Sequence, residues 1–199
     1  MPSSQDTVLE LFEESGALLE GHFLLSSGRH SAQYMEKFHL LRQPVLTSRL
    51  CEEFADRFRD ERIDVVVGPT TGGILLAFEV ARQLGVAAAY AERSSEGGTA
   101  REIRRSTVFT PGSRVLVVDD ILTRGGSMRE TLAALEPHPV EVVAVAVIVD
   151  RSGGTVDFGV PLAALATVEI ETWEPAECPL CAAGIPLVKP GTTAVAAGS

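Results

Sequence analysis

The sequence predicts an α/β fold built on a mostly parallel sheet, and three observations carry that prediction. Short β-branched runs alternate with helix-length amphipathic stretches from IDVVVG onward. The later runs, RVLVVDD and VEVVAVAVIVD, are apolar nearly throughout, as strands buried on both faces are. Three strand-like runs end in clusters that a core strand has no use for: GPTTGG, DDILTRGGS and DRSGG. In parallel sheets with right-handed crossovers, ligands sit beyond the carboxyl ends of the strands.

The elements follow in chain order. Residues 6–19, DTVLELFEESGALL, read as an amphipathic helix with Asp6 as N-cap and Val8, Leu9, Leu11 and Phe12 on or near one face. GHFLLSSGRHSAQYM has apolar ends and a small polar middle, which predicts short strands around a turn. Residues 44–61 resume helical spacing, with Pro44 at the start and Leu46, Leu50, Phe54 and Phe58 in register. IDVVVG is strand-like, and GGILLAFEVARQLG has helix length and a C-cap glycine in Gly85. VAAAYAE and RVLVVDD are the next strands, a helix runs from about Gly126 to Leu135, and VEVVAVAVIVD is a long apolar strand. The final KPGTTAVAAGS reads as a frayed end.

A chain of 199 residues fits one domain with a substantial core, and 45% apolar with 22% charged residues is ordinary for a globular protein. No apolar run approaches the ~20 residues that cross a bilayer. The start, MPSSQDTVLELFEE, lacks a basic-then-apolar export signal, so a cytoplasmic location is expected. A net charge of −10 argues against nucleic acid as the main partner, because phosphate neutralisation needs a basic face. Lys37 and Lys189 are the only lysines, so arginine carries nearly all the positive charge, and Arg93, Arg101, Arg104 and Arg105 crowd into one segment.

Three cysteines make no disulfide framework. Cys178 and Cys181 form a single CPLC, half of a zinc ligand set, and read as a structural turn in the tail; a zinc shared between two subunits is the alternative. His22, His30, His39 and His138 are scattered without ligand spacing, and no metal is assigned to them. Trp173 reads as packing rather than base stacking.

The chemistry concentrates in VLVVDDILTRGGSMRE. Thr123, Arg124, Gly125, Gly126 and Ser127 lead straight into a helix, whose first N–H groups are unpaired and whose dipole adds partial positive charge. Glycines let that backbone approach an anion, and the hydroxyls add donors. This is a phosphate cradle, though neither GxxxxGK[ST] nor GxGxxG occurs in it. Asp119 and Asp120 stand at its mouth. Acids beside a phosphate need another partner, and the vicinal diol of a ribose is a good one. Phosphate and diol together describe a ribose 5-phosphate.

With those residues in place, DDILTRGGS preceded by VLVV resembles the phosphoribosyl-diphosphate signature of type I phosphoribosyltransferases. FLLSSGRHSAQY, GPTTGG and VDRSGG narrow the resemblance to orotate phosphoribosyltransferases, and TWEPAECPLCAAGIPLVKPG is similar to the tail of the branch found in Thermus-like bacteria. The resemblance spans nearly the whole chain in order. It implies the type I phosphoribosyltransferase fold over residues 1–199, with a hood over the sheet's carboxyl edge from about 18–40 and 155–175, a mobile loop at about 92–106 and a tail at 176–199.

It implies roles as well. Asp119 and Asp120 would hold the ribose hydroxyls, and Ile121, Leu122 and Thr123 through Ser127 would bind the 5-phosphate side of phosphoribosyl diphosphate. Thr70, Thr71, Gly72 and Gly73 would lie beneath the pyrophosphate, and Arg93 and Arg101 would supply loop charge. Thr123, Arg151, Ser26 and Tyr34 would meet orotate, with the Arg151 fork on its carboxylate. Mg²⁺ is the implied cofactor, held mainly by substrate oxygens and water and with no protein ligand assigned. The implied partners are phosphoribosyl diphosphate, orotate and a second copy whose loop acts in trans; neither nucleic acid nor membrane is among them. Gly97 and Gly98 suit a loop that opens and shuts.

The sequence departs from the family pattern where many members carry loop lysines and a histidine: it has none there, with Gly72 and Ser26 at two further lysine positions. Arginine replaces charge but not proton donation, which leaves two alternatives: slower turnover, or His30 or Lys37 as the stand-in. Three other readings keep the cradle. A purine or xanthine phosphoribosyltransferase is disfavoured by Arg151, since purines bear no carboxylate. A phosphoribosyl-diphosphate-sensing regulator that binds RNA or DNA is disfavoured by the acidic balance. A catalytically dead relative is the third.

Overall fold

The structure, a computed structural model, describes residues 4–95, 98–105 and 107–190. Helix α1 (Ser4–Glu14) precedes a hairpin, β1 (Leu18–Leu24) and β2 (His30–Met35), and the short α2 (Lys37–Leu41) leads to α3 (Pro44–Phe58). The α/β part then runs β3 (Val65–Pro69), α4 (Gly72–Leu84), β4 (Ala87–Arg93), β5 (Arg101–Ile103), β6 (Ser113–Leu122), α5 (Gly126–Leu135), β7 (Val140–Asp150) and β8 (Leu162–Thr167). A 3₁₀ turn at Pro175–Glu177 and α6 (Pro179–Ala182) close the described chain.

The six-stranded sheet has the order β5-β4-β3-β6-β7-β8, parallel throughout except for the antiparallel β4–β5 edge. Central β6 shows why the run RVLVVDD lacks alternation. Leu116 and Val118 face a core shared with α1, α3 and α4, while Val115 and Val117 face a second core with Met128 and Leu135 of α5. Both faces are covered, so both sets of side chains are apolar. On α3, Leu46, Leu50, Phe54 and Phe58 are all buried, the helical stripe that their spacing predicts. Gly85 ends α4 in the left-handed conformation.

Several boundaries move. Residues 6–19 do not form one helix: α1 ends at Glu14, Gly16 turns with φ 66°, and Leu18 already belongs to β1. Asp6 lies inside the first turn rather than at its cap. Helix α3 stops at Phe58, short of residue 61. The segment expected as hood, 155–175, is split, because 162–167 is β8 of the central sheet and only the stretch after it reaches the hairpin.

The β1–β2 hairpin, the first segment expected as hood, is covered by residues 172–174. Trp173 and His30 exchange backbone hydrogen bonds at 2.9 Å, and Arg29 donates to Thr172 and Glu174. The tail pairs with β1 as well, Val188 N–H donating to His22 O at 2.8 Å and Leu24 N–H to Val188 O at 2.8 Å. This folding brings His22 and His30 beside Cys178 and Cys181. The reading of those two histidines as scattered is therefore corrected: tertiary structure supplies a proximity that linear spacing hides. Among the described residues no helix is long and apolar enough to cross a membrane. Gly97 and the end beyond Pro190 lie outside the described residues.

Candidate active site

The three strand-end clusters converge at the carboxyl edge of β3, β6 and β7. Strand β6 delivers Asp119 and Asp120 nearly fully buried. Their carboxylates are oriented by the chain itself. Asp119 accepts from the N–H of Asp120 at 2.9 Å and from the Ser127 hydroxyl at 2.8 Å, and Asp120 accepts from the N–H of Ile121 at 2.7 Å. Burial first, then the charge of Asp120, pushes the Asp119 carboxyl up to about 6, against the pull of those two donors and of Lys37.

Lys37, at the start of α2, reaches across to Asp120 and lies 2.9 Å from both of its carboxylate oxygens. The hydrogen bond is aligned at Oδ1; Oδ2 has only the ion pair and no aligned donor. Burial alone would lower the lysine's pKa, but the charge and hydrogen bond of Asp120, with Asp119 behind it, raise it. Lys37 is thus a fixed cation at neutral pH, which fits charge balance and not proton delivery. His30 is not the stand-in either, because its ring faces the cysteines of the tail.

The segment between β6 and α5 is a glycine turn that opens directly into the helix. Gly125 precedes α5 with φ 75°, and a Cβ there would crowd Val156 and Phe158, so glycine suits both the turn and the packing. Thr123, Arg124 and Gly126 are exposed around the helix start, Ser127 partly so. Leu122 is different: its side chain is buried in the second core, so only its backbone faces the edge. On the β3 side, a Cβ on Gly72 would come within 2.0 Å of Asp120 Oδ2, so the carboxylate as placed here leaves room only for glycine. Thr70 and Thr71 form the turn below, joined by a cis peptide.

The loop arginines divide. Arg101 does not project as a free loop cation: it opens β5 with its side chain 4% exposed, donating to Glu130 at 3.1 Å, to the Thr70 hydroxyl at 2.9 Å and to Ala91 O at 3.1 Å. That corrects its assignment to the mobile loop's reacting charge and makes it a brace under the Thr70 turn. Arg93 stays largely exposed, donating to Gly98 O, with Glu130 4.0 Å away. Arg104 and Arg105 pair with Glu102 and Glu92 just past the returning strand.

Arg151 follows β7, and its N–H donates to Leu122 O at 2.8 Å, which ties it beside the cradle. Asp150, buried, accepts from Ser152 N–H at 2.7 Å and shapes that turn. The Arg151 guanidinium is half-buried, its Nε has no hydrogen-bond partner, and among the described residues it makes no ion pair. Burial holds its pKa down, opposed by Tyr34 across the mouth. Tyr34 is half-buried in β2, and Ser26 is exposed at the hairpin tip. A cavity of about 400 Å³ on the hood, lined by Glu20, Gln33, Glu171 and Trp173, touches none of these residues and is too acidic for a phosphate.

Comparison with known proteins decides the family. Residues 42–158 match the phosphoribosyl transferase domain. Orotate phosphoribosyltransferase of Caldicellulosiruptor bescii is 50% identical over 189 residues, covering 95% of this chain and 98% of that one. The chain belongs to the orotate phosphoribosyltransferase family. Its counterpart from Carboxydothermus hydrogenoformans is also 50% identical, over 92% of this chain and 95% of that one. The crystal structure of orotate phosphoribosyltransferase from Aeropyrum pernix superposes with a TM-score of 0.71 at 30% identity, covering 81% of this chain and 93% of that one.

Lys37, Asp150 and Glu130 are the residues that sequence reasoning left without their roles. Asp150 carries a local signal, an acid at a strand end before a turn. Lys37 and Glu130 carry none, since their partners lie 83 and 29 residues away.

Proposed function

We propose that this chain is an orotate phosphoribosyltransferase, an enzyme that transfers ribose 5-phosphate from phosphoribosyl diphosphate to orotate, giving orotidine 5′-phosphate and diphosphate on the route to UMP. The observation that carries the substrate assignment is Arg151, a half-buried guanidinium with an unpartnered Nε held next to the cradle. A buried donor left unmade is costly, and a planar carboxylate on the bound base is the partner that fits its fork.

The residues divide the work by charge. Thr123 through Ser127 receive the 5-phosphate at the start of α5, and Asp119 and Asp120 accept from the ribose hydroxyls. As the bond at C1 of the ribose lengthens, positive charge develops on the sugar and negative charge on the departing diphosphate. The paired acids lie on the sugar's side, while Thr70, Thr71 and the Gly72–Gly73 backbone face the leaving group. Arg101 positions that turn through Thr70, and the exposed Arg93 is the charge that the 92–106 loop would carry to the neighbouring site. Catalysis is then positional and electrostatic, without a covalent nucleophile.

The mouth fits Mg²⁺ in a limited way. Asp119 and Asp120 are oxygen donors, and Asp120 Oδ2 lacks an aligned hydrogen bond, but among the described residues no third acid joins them. Substrate oxygens and water would complete the shell. Bound there, Mg²⁺ would offset the leaving group's charge. A homodimer with the 92–106 loop acting on the neighbouring site remains part of the proposal. It is supported by an apolar face on α4, where Leu75 is 43% and Phe78 64% exposed. A cytoplasmic setting completes the reading.

The test is to mix protein, Mg²⁺, phosphoribosyl diphosphate and orotate and follow the loss of orotate absorbance. Turnover of orotate supports the proposal. Consumption of hypoxanthine or xanthine instead of orotate would replace it with a purine activity.

A further inference from the structure

We infer that His22, His30, Cys178 and Cys181 form a structural zinc site that fastens the tail to the hood. The four side chains come from β1, β2, the residue before α6 and α6 itself, and their ligand atoms all lie within 4.8 Å of one another. His22 Nε2 is 3.0 Å from His30 Nδ1, 3.4 Å from Cys178 Sγ and 3.7 Å from Cys181 Sγ, and Cys181 Sγ is 3.3 Å from His30 Nδ1. Tetrahedral zinc with bonds of about 2.3 Å to sulfur and about 2.05 Å to nitrogen requires edges of roughly 3.4 Å between nitrogens and roughly 3.6 Å between nitrogen and sulfur. The nitrogen–sulfur separations bracket the second value, and the two nitrogens stand about 0.4 Å inside the first, so metal entry needs only a small outward shift of one ring.

Orientation agrees with the distances. His22 Nδ1 lies 2.7 Å from Ile185 O. A carbonyl only accepts, so Nδ1 carries the proton and Nε2 presents its lone pair to the other three groups. A ligating histidine whose second nitrogen donates to a backbone carbonyl is the usual arrangement around protein zinc. Ile185 is itself fixed, its N–H donating to Leu180 O at 3.0 Å within the same turn. His22, His30 and Cys178 are each under 5% exposed and Cys181 lies at the surface, so the centre is closed on the protein side and loadable from solvent.

Two sulfurs and two imidazoles suit zinc, whereas Mg²⁺ and Ca²⁺ take oxygen. Four protein ligands leave no open position, which makes the site structural. It also answers a stability problem. The β1–β2 hairpin is a two-stranded sheet of its own, and such hairpins are marginal in water. A metal joining it to the CPLC turn would hold Ser26 and Tyr34 in place over the carboxyl edge. The second half of the ligand set is supplied by the same chain, so no shared intersubunit zinc is needed.

The experiment uses the full, untagged chain purified under reducing conditions without chelator. Elemental analysis is expected to find about one zinc per chain, falling below about a tenth in the Cys178→Ser/Cys181→Ser variant and unchanged in Cys51→Ala, whose thiol lies elsewhere in the core. Should the double variant misfold, Co²⁺ exchanged into the wild-type chain gives an independent reading: intense visible bands with a thiolate charge-transfer feature support a tetrahedral S₂N₂ centre. Wild-type protein with no more zinc than the double variant, no such bands with Co²⁺, or a Cys178–Cys181 disulfide in the reduced preparation would overturn the inference. None of these outcomes depends on which base the enzyme uses.

Discussion

Lys37 Nζ stands 2.9 Å from each carboxylate oxygen of Asp120, joining the first turn of α2 to the end of β6 across 83 residues. The pair sets a cation against a buried acid and holds its carboxyl group at the mouth. Lys37→Met is expected to lower kcat/KM for phosphoribosyl diphosphate by about 10- to 100-fold, the scale of one lost charge-assisted contact. Lys37→Arg should recover part of the loss. Steady-state kinetics at saturating orotate checks this.

Asp119 sets the acid side of the pH profile. Burial and the neighbouring charge raise its pKa to about 6, so the carboxylate that the ribose needs is lost as pH falls through that value. Activity should drop below about pH 6. Stability moves the other way: the folded chain retains a proton that the unfolded chain, with a pKa near 3.9, releases, so this group's contribution declines as pH rises from about 4 to about 6. Ser127 donates to the charged form, and Ser127→Ala should therefore shift the acid limb to higher pH. A pH–rate profile that stays put in Ser127→Ala contradicts the assignment.

Gly72→Ala separates fold from function. Gly72 is the first residue of α4, where alanine gains less over glycine than the ~1 kcal/mol of a helix interior. The alanine Cβ, however, meets Asp120 Oδ2 at 2.0 Å, an atom at the end of a side chain that can swing aside. The fold should therefore survive, with Tm changed by no more than about 2–4 °C per kcal/mol of net effect. The displaced carboxylate should raise KM for phosphoribosyl diphosphate about tenfold or more. Thermal melts and kinetics on one preparation test both halves.

Arg101 is a brace, and its removal should act on stability and on the Thr70 turn together. Arg101→Met leaves Glu130 without its close partner and is expected to cost about 2–4 kcal/mol, reduced from a fully buried pair by the 20% exposure of Glu130. Arg101→Met/Glu130→Gln should recover part of that stability without recovering activity, because the hydrogen bond to Thr70 is still missing. Chemical denaturation of the two variants measures the first part, and turnover measures the second.

The alternation of strands and helices, the glycine turn into α5 and the paired buried acids are legible because each is local: a strand end, a glycine turn and a helix start are contiguous in DDILTRGGS. The short edge strands β5 and β8 were not, since three residues, or the alanine-rich LAALAT, make no period. Arg101 looked like loop charge because its segment is polar, and only the approach of Glu130 and Thr70 shows it buried. His22 and His30 looked unrelated to the CPLC for the same reason: the hairpin and the tail meet through backbone pairing at His22, Leu24 and Val188 that no spacing rule encodes.

The orotate KM of Arg151→Ala tests the central claim most directly. The unpartnered guanidinium is assigned to the carboxylate of orotate, so the variant should raise that KM by about 10- to 100-fold while the KM for phosphoribosyl diphosphate moves little. An orotate KM equal to that of the wild type would contradict the account.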